Sequence, residues 1–159
     1  MMLEPTNDIG NIFLRLIASI LMAAVFGWER EYRDKPAGLK THMLLALGSA
    51  ALTVVALQFP MTNDLQGTGI QFDPFRLIQG ILAGIGFLGA GTIIQSHGDV
   101  EGLTTASTLW IVTALGVACG LGYLTIAGMT TILGLVVLIV VKAYERRIFP
   151  NQDADHPDA

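Results

Sequence analysis

The sequence predicts an all-α integral membrane protein with five transmembrane helices. Three observations carry that reading. Hydrophobic residues make up 52% of the 159 residues and charged residues only 14%, against the ~25% charge usual in soluble domains. No Asp, Glu, Lys or Arg stands from Thr41 to Asn63, from Leu77 to Gly98, or from Gly102 to Val141. A helix rising 1.5 Å per residue needs about 20 apolar residues to cross the hydrocarbon layer; each stretch is that long, and the last is long enough to cross twice.

The first helix is expected from about Ile9 to Trp28, interrupted by one charge, Arg15. The residues before it are acidic (Glu4, Asp8) and no cleavage-type site closes it, so a secretory signal peptide fits poorly. Pro36 and Gly38 separate it from a second helix, Leu39 to Phe59. Pro60, Asn63, Asp64, Gly67 and Gly69 then make the longest loop. Asp73-Pro74 reads as an N-cap followed by proline in the first helical position, opening a third helix from Phe75 to Gln95. Ser96-His97-Gly98-Asp99 ends it. The fourth helix runs from Leu103 to Ala118 and the fifth from Tyr123 to Arg146, divided by Gly120-Leu121-Gly122. One unbroken helix over that run would be about 60 Å long, twice the hydrocarbon thickness.

Basic residues set the expected orientation. Arg30, Arg33, Lys35 and Lys40 flank the first loop, and Lys142, Arg146 and Arg147 follow the fifth helix. Five spans put both groups on one side, so the N-terminus is expected outside and the C-terminus in the cytoplasm. The chain then divides into a short external segment 1–8, a five-helix domain 9–147 and an acidic, disordered tail 148–159 holding Asp153, Asp155 and Asp158. Cys119 is the only cysteine, which excludes a disulfide framework and a Cys-based metal site. Basic residues are too few for a nucleic-acid surface.

Four segments are candidates for function. The third helix carries Gly80, Gly84, Gly86, Gly89 and Gly91. Gly84, Gly86 and Gly89 match a GxGxxG spacing, but no strand precedes them and no acid follows at the required distance, so a dinucleotide site is rejected. Gly80/Gly84 and Gly86/Ala90 are small-xxx-small pairs, which let another helix approach closely; a discontinuous helix lining an ion path is the sharper alternative. Around the first loop, Lys40 and His42 begin an apolar helix, where the dipole disfavours a cation. A cytoplasmic-side polar cluster of Glu29, Arg30, Lys40, Thr41, His42, Asp99, Glu101, Thr104 and Thr105 is therefore expected, with Glu29, Asp99 and Glu101 as the compensating acids; a solvated loop is the plainer alternative. Thr104, Thr105, Ser107 and Thr108 open the fourth helix and can cap it or bond to neighbours. Arg15 either snorkels outward or makes a buried pair, with Asn11 one turn earlier able to share its hydrogen bonds.

Taken together these segments resemble the membrane domain of the MgtC/SapB family of bacterial membrane proteins. The resemblance is carried by Gly27 with Glu29-Arg30, by Ala37-Gly38-Leu39-Lys40-Thr41-His42, by the run Gly84 to Ile94, and by the run Gly102 to Trp110, in matching order from Arg15 to about Val140. It implies a multi-pass inner-membrane protein linked to magnesium homeostasis, and in the virulence branch a partner in the F-type ATP synthase. Lys40 stands where the family usually has arginine, which keeps charge but loses the bidentate fork. The sequence resembles a short form without the cytoplasmic regulatory domain of the virulence branch, and Thr104-Thr105 looks like the general SapB-like branch.

The expected function is that of a membrane regulator acting by contact with another membrane protein, a transporter or the ATP synthase, with a homodimer through the third helix also expected. The alternative is a channel or transporter for magnesium or another small ion, with Glu29, Asp99, Glu101, Thr104 and Thr105 as candidate oxygens. No enzyme is expected: there is no GxxxxGK[ST] loop, HExxH pattern or Ser/His/Asp spacing. No cofactor is expected either, magnesium being a candidate ligand or cargo.

Overall fold

A computed structural model describes residues 8–62, 73–96 and 99–148. Helix α1 spans Ile9–Tyr32, and the Asp8 carboxylate accepts from the N–H groups of Gly10 and Asn11, both at 3.3 Å. Helix α2 spans Leu39–Thr62 and α3 spans Pro74–Thr92. Asp73 caps α3 as its sequence predicts, accepting from Phe75 N at 2.9 Å ahead of the first-turn proline. Helix α4 covers Leu103–Gly120 and α5 covers Leu124–Val136; a single π-helical turn, Val137–Val141, joins α5 to α6, Lys142–Ile148. Among the described residues five helical stretches are long and apolar enough to cross a membrane, in agreement with the sequence. The tail after residue 148 and most of the loop before Asp73 lie outside the described residues.

Three boundaries differ from the sequence expectation by three residues or more. Helix α2 continues through Pro60, expected in the loop, to Thr62 rather than ending at Phe59. Helix α1 runs a full turn past Trp28, because Glu29 to Tyr32 are sound helix formers and the chain turns only at Asp34, which takes φ +52°. Helix α3 stops at Thr92 rather than Gln95. Ile93 is extended, and β1 (Ile94–Ser96) pairs antiparallel with β2 (Asp99–Glu101), placing Ile94 opposite Glu101 and Ser96 opposite Asp99. Paired β-branched residues followed by Ser-His-Gly-Asp favour a hairpin over another helical turn. Gly102 closes it at φ +86°, a conformation that suits glycine, with its Cα so near the Thr92 carbonyl oxygen that a Cβ would overlap it.

Helix α4 is the hub. It packs on α1, α2, α3 and α5, and 56% of its membrane-length stretch is buried, against 6% for α3. Ala23 and Phe26 of α1, Ala46 of α2, Val112, Leu115 and Cys119 of α4, and Ala127 of α5 form one core. Its closest approach is made by glycines outside the glycine-rich helix. A Cβ on Gly116 would collide with the Ala46 carbonyl oxygen, and one on Gly120 would lie 2.7 Å from both the Ala50 carbonyl oxygen and Thr53 Cβ. Gly27 similarly admits the α2 backbone at Leu39, and Gly134 admits the Phe26 ring. Lipid tails are as apolar as the core, so this close packing, rather than hydrophobic exclusion, holds the helices together.

Replacing Gly116 with valine should therefore destabilise the bundle by about 1–3 kcal/mol or more through overpacking. Gly84→Ala, where a Cβ meets nothing within 4 Å, should be neutral or stabilising by up to about 1 kcal/mol through helix propensity. Thermal unfolding of both variants in one mild detergent checks the contrast.

Candidate functional site

The end of the bundle that carries the α1–α2 turn gathers the polar groups. After Tyr32 the chain turns through bonds from the N–H groups of Arg33 and Lys35 to the Arg30 carbonyl, at 3.2 and 3.0 Å. Glu31 then reaches forward, and its Oε2 accepts from Leu39 N at 2.6 Å. A carboxylate thus sits at the N-terminus of α2, where the free N–H groups and the dipole favour negative charge. The acid that holds the start of α2 is Glu31, a residue outside the expected set of Glu29, Asp99 and Glu101; the Asp99 side chain lies outside the described residues. Gly38 permits the contact, since a Cβ there would come within 2.5 Å of Glu31 Oε2.

Glu29 serves the arginines instead. Its Oε2 lies 3.7 Å from Arg30 Nη1, and its Oε1 pairs with Arg33 Nε one helical turn on. Arg30 is 4% exposed, and its Nε has no hydrogen-bond partner among the described residues. Glu29 is therefore the nearby charge that offsets a buried guanidinium, and removing it would leave that charge unpaired.

His42 is wholly buried between α2 and α4. Its Nδ1 lies 2.8 Å from the Gly38 carbonyl oxygen, which can only accept, and its Nε2 lies 3.1 Å from Thr108 Oγ1. The Thr108 hydroxyl also points at the Thr105 carbonyl, 2.8 Å away. One hydroxyl proton cannot serve both acceptors, so the Thr108 rotor is coupled to the protonation of the imidazole. Thr105 is buried beside it, whereas Lys40, Thr41, Glu101 and Thr104 are exposed at the rim. Asp99 lies on β2 opposite Ser96, and its side chain is outside the described set. Of the nine residues expected to cluster, the structure interlocks Glu29 with Arg30, and His42 with the helical turn holding Thr105. Thr108, one of the four hydroxyls that the sequence offers for bonds to neighbouring helices but not part of the expected cluster, is the partner of His42, and it shares a helix face with Thr105.

Arg15 is buried, not snorkelled. Asn11 Oδ1 accepts from its Nε at 2.9 Å, as the one-turn spacing suggests, and the Gly120 carbonyl accepts from Nη1 at 2.9 Å. Gly120 ends α4, so the guanidinium satisfies an orphan carbonyl at the negative end of a helix dipole. That makes Arg15 a tie between α1 and α4.

The α3 glycines behave differently. A Cβ at Gly80, Gly84, Gly86 or Gly91 would meet nothing within 4 Å, and Gly89 alone faces a neighbour, Ala106 Cβ at 3.7 Å. Gly80 and Gly84 line a cleft of about 500 Å³ against α2. Gly86 and Ala90 lie on a flank away from that cleft and are exposed, as is Phe87. Helix α3 is continuous through all five glycines, so the broken helix entertained from the sequence is not present. Among the described residues no three His, Cys, Asp or Glu side chains gather where a metal ion could sit.

The family model described as the MgtC family matches residues 16–147. The chain is 38% identical over 135 residues to protein MgtC of Salmonella typhimurium, covering 85% of this chain and 54% of that protein. It is 36% identical over 126 residues to an uncharacterised protein of Haemophilus influenzae, covering 79% and 53%. It is 34% identical over 130 residues to the putative magnesium transporter YhiD of Escherichia coli, covering 82% and 60%. The chain thus spans between half and two thirds of the length of these curated relatives. No solved structure matches.

The polar contacts generate two expectations. A double-mutant cycle of His42→Phe and Thr108→Val should return a coupling of roughly 0.6 kcal/mol and at most about 1.7, the range for interhelical hydrogen bonds in a membrane protein; equilibrium unfolding of the four proteins measures it. Glu31→Ala should speed amide hydrogen exchange at Leu39 and the turn after it several-fold, and Glu31→Gln, which keeps an acceptor, should restore part of the protection.

Proposed function

The chain belongs to the MgtC family, and on that premise we propose that it is a bacterial inner-membrane regulator of magnesium homeostasis and membrane energetics that acts by contact with another membrane protein. In this reading its N-terminus is outside, and the polar rim around Glu29, Lys40 and Glu101 faces the cytoplasm, following the basic residues of the first loop and the C-terminal helix.

The observation that carries the proposal is the state of α3. A helix with five glycines in twelve residues gives up as much as ~1 kcal/mol at each relative to alanine. In this chain almost nothing packs into the space those glycines leave. Small residues on an exposed membrane helix serve close approach by a second helix. The flank bearing Gly86 and Ala90 is the candidate contact surface, and a transporter or a membrane subunit of the F-type ATP synthase is the candidate partner. A second copy of the chain is the homomeric counterpart. Several buried polar groups within the spans are tied inside the protein: Arg15 to Asn11 and the Gly120 carbonyl, His42 to the Gly38 carbonyl and Thr108, Thr53 to the Ser49 carbonyl.

The name of the Escherichia coli relative favours a second reading, transport of magnesium. There Glu29, Thr104 and Thr105, with Asp99 and Glu101, supply oxygens at one mouth, the ligand type that magnesium prefers.

Two measurements on the same preparation separate the readings. Affinity purification in mild detergent should recover a transporter or ATP-synthase subunit with the wild-type chain and lose it with Gly86→Leu. Recovery of the chain alone would count against the regulator. Magnesium flux into liposomes should not rise above that of protein-free vesicles; flux that falls in Glu29→Ala would replace the regulator with the transporter.

A further inference from the structure

The α2–α3 cleft has a composition that a helix-packing role does not explain. Leu44, Leu52, Leu77, Ile81 and Leu88 supply its walls, and Gly48, Gly80 and Gly84 its floor. Its two hydroxyl side chains are already engaged: Ser49 Oγ donates to the Leu45 carbonyl and Thr113 Oγ1 to the Leu109 carbonyl, both at 2.8 Å. The cleft therefore offers hydrocarbon along its length and no free side-chain donor, with one exception. Arg76 stands at one end, in the first turn of α3, exposed and without an ion pair among the described residues. The nearest acid on its own helix end, Asp73, is held by the Phe75 N–H.

A site with one cation and one dry groove selects an amphiphile with one anionic head and a slender tail. The dimensions agree. Arg76 to Leu88 spans about 18 Å at 1.5 Å per residue, close to the ~15 Å depth of one leaflet. A volume of about 500 Å³ lies within the ~300–1,000 Å³ of small-ligand sites, whereas a helix with its side chains is about 10 Å across and would have to ride above the groove. We propose that the α2–α3 cleft is a site for an anionic phospholipid, one acyl chain lying along Gly80 and Gly84 and the phosphate meeting the Arg76 guanidinium, in the leaflet opposite the α1–α2 turn. Arginine suits this end because its planar fork can donate two parallel bonds to phosphate oxygens. The lipid would fill the volume beside the glycines and leave the Gly86–Ala90 flank free.

The test is native mass spectrometry of the full chain, delipidated in mild detergent and titrated with phosphatidylglycerol or phosphatidylcholine of the same acyl chains. The expected result is one tightly held phosphatidylglycerol per chain, bound at least several-fold more strongly than phosphatidylcholine. Arg76→Gln should reduce the phosphatidylglycerol affinity about fivefold, the factor one basic residue contributes near an anionic surface, and leave phosphatidylcholine unchanged. Gly80→Leu with Gly84→Leu should abolish the tight site. Those substitutions meet no atom at the Cβ position and raise helix propensity, so the variant is expected to fold, as its thermal unfolding would show. Equal affinity for the two lipids, or unchanged phosphatidylglycerol binding in the filled variant, overturns the proposal. So does a filled variant that loses a dimer while its lipid binding is unaltered, because a second copy would then be the occupant.

Discussion

Helices α2 and α4 touch backbone to backbone, and the other contacts of the bundle are placed by that touch. The carbonyl oxygens of Ala46 and Ala50 occupy the places where side chains would begin at Gly116 and Gly120. Across the same seam, Ser49 and Thr53 turn their hydroxyls back to carbonyls of their own helix, so that what they present to α4 is largely apolar. In a bilayer no hydrophobic effect pushes helices together, and a seam this tight gains dispersion contacts that lipid cannot match. With α4 fixed on α2, its last carbonyl lies within reach of Arg15 on α1, and its second turn lies against His42.

Hydrocarbon offers no water to an unsatisfied polar group, and the structure answers this differently at the two ends of α4. At the C-terminal end one guanidinium, oriented by Asn11, meets one orphan carbonyl. At the N-terminal end the solution is distributed: Glu31 holds the start of α2, Glu29 stands between two arginines, and the imidazole of His42 bridges α2 to a hydroxyl on α4. The first arrangement uses its charge to hold α1 to α4. The second leaves Arg30 Nε unused and several charged or hydroxylated residues at the rim, which is where ligand or partner chemistry has groups to work with.

The span count was legible because charge-free runs report the bilayer directly: the first two hold α2 and most of α3, and the third, long enough to cross twice, holds α4 and α5. The Asp73 cap and the Asn11–Arg15 pair were legible because both are local, set by spacings of one turn or less. What escaped the sequence reading was long-range or a matter of degree. Gly120 as the partner of Arg15 lies 105 residues away. Glu31 was passed over as the acid at the start of α2 because a one-dimensional reading weighs charge and not reach across a turn. The hairpin after Thr92 hid because three-residue strands leave little pattern. The glycines misled in an instructive way. Density drew attention to Gly80 through Gly91, yet the helix-packing positions that a Cβ would break lie elsewhere: Gly116 and Gly120, a spaced pair near the end of a buried helix, with Gly27 and Gly134 beside them. Glycine marks close approach only where a neighbour arrives, and only the fold says where that is.

That distinction also explains how α3 can keep its glycines. If they served the fold, filling them would cost packing energy; the open space around four of them says it would not. Propensity alone would favour alanine at each, and that cost is what the proposed contacts of α3 with lipid and with a second helix would offset. The helix offers two separate faces for them. Gly80 and Gly84 open toward the cleft with α2, while Gly86 and Ala90 open away from it. Gly89 and the buried Ile85 fasten the remaining side to the body of the protein. A helix attached along one stripe and open along two others can hold a lipid on one face and a protein on the other, and occupancy of the first would stiffen the surface presented by the second.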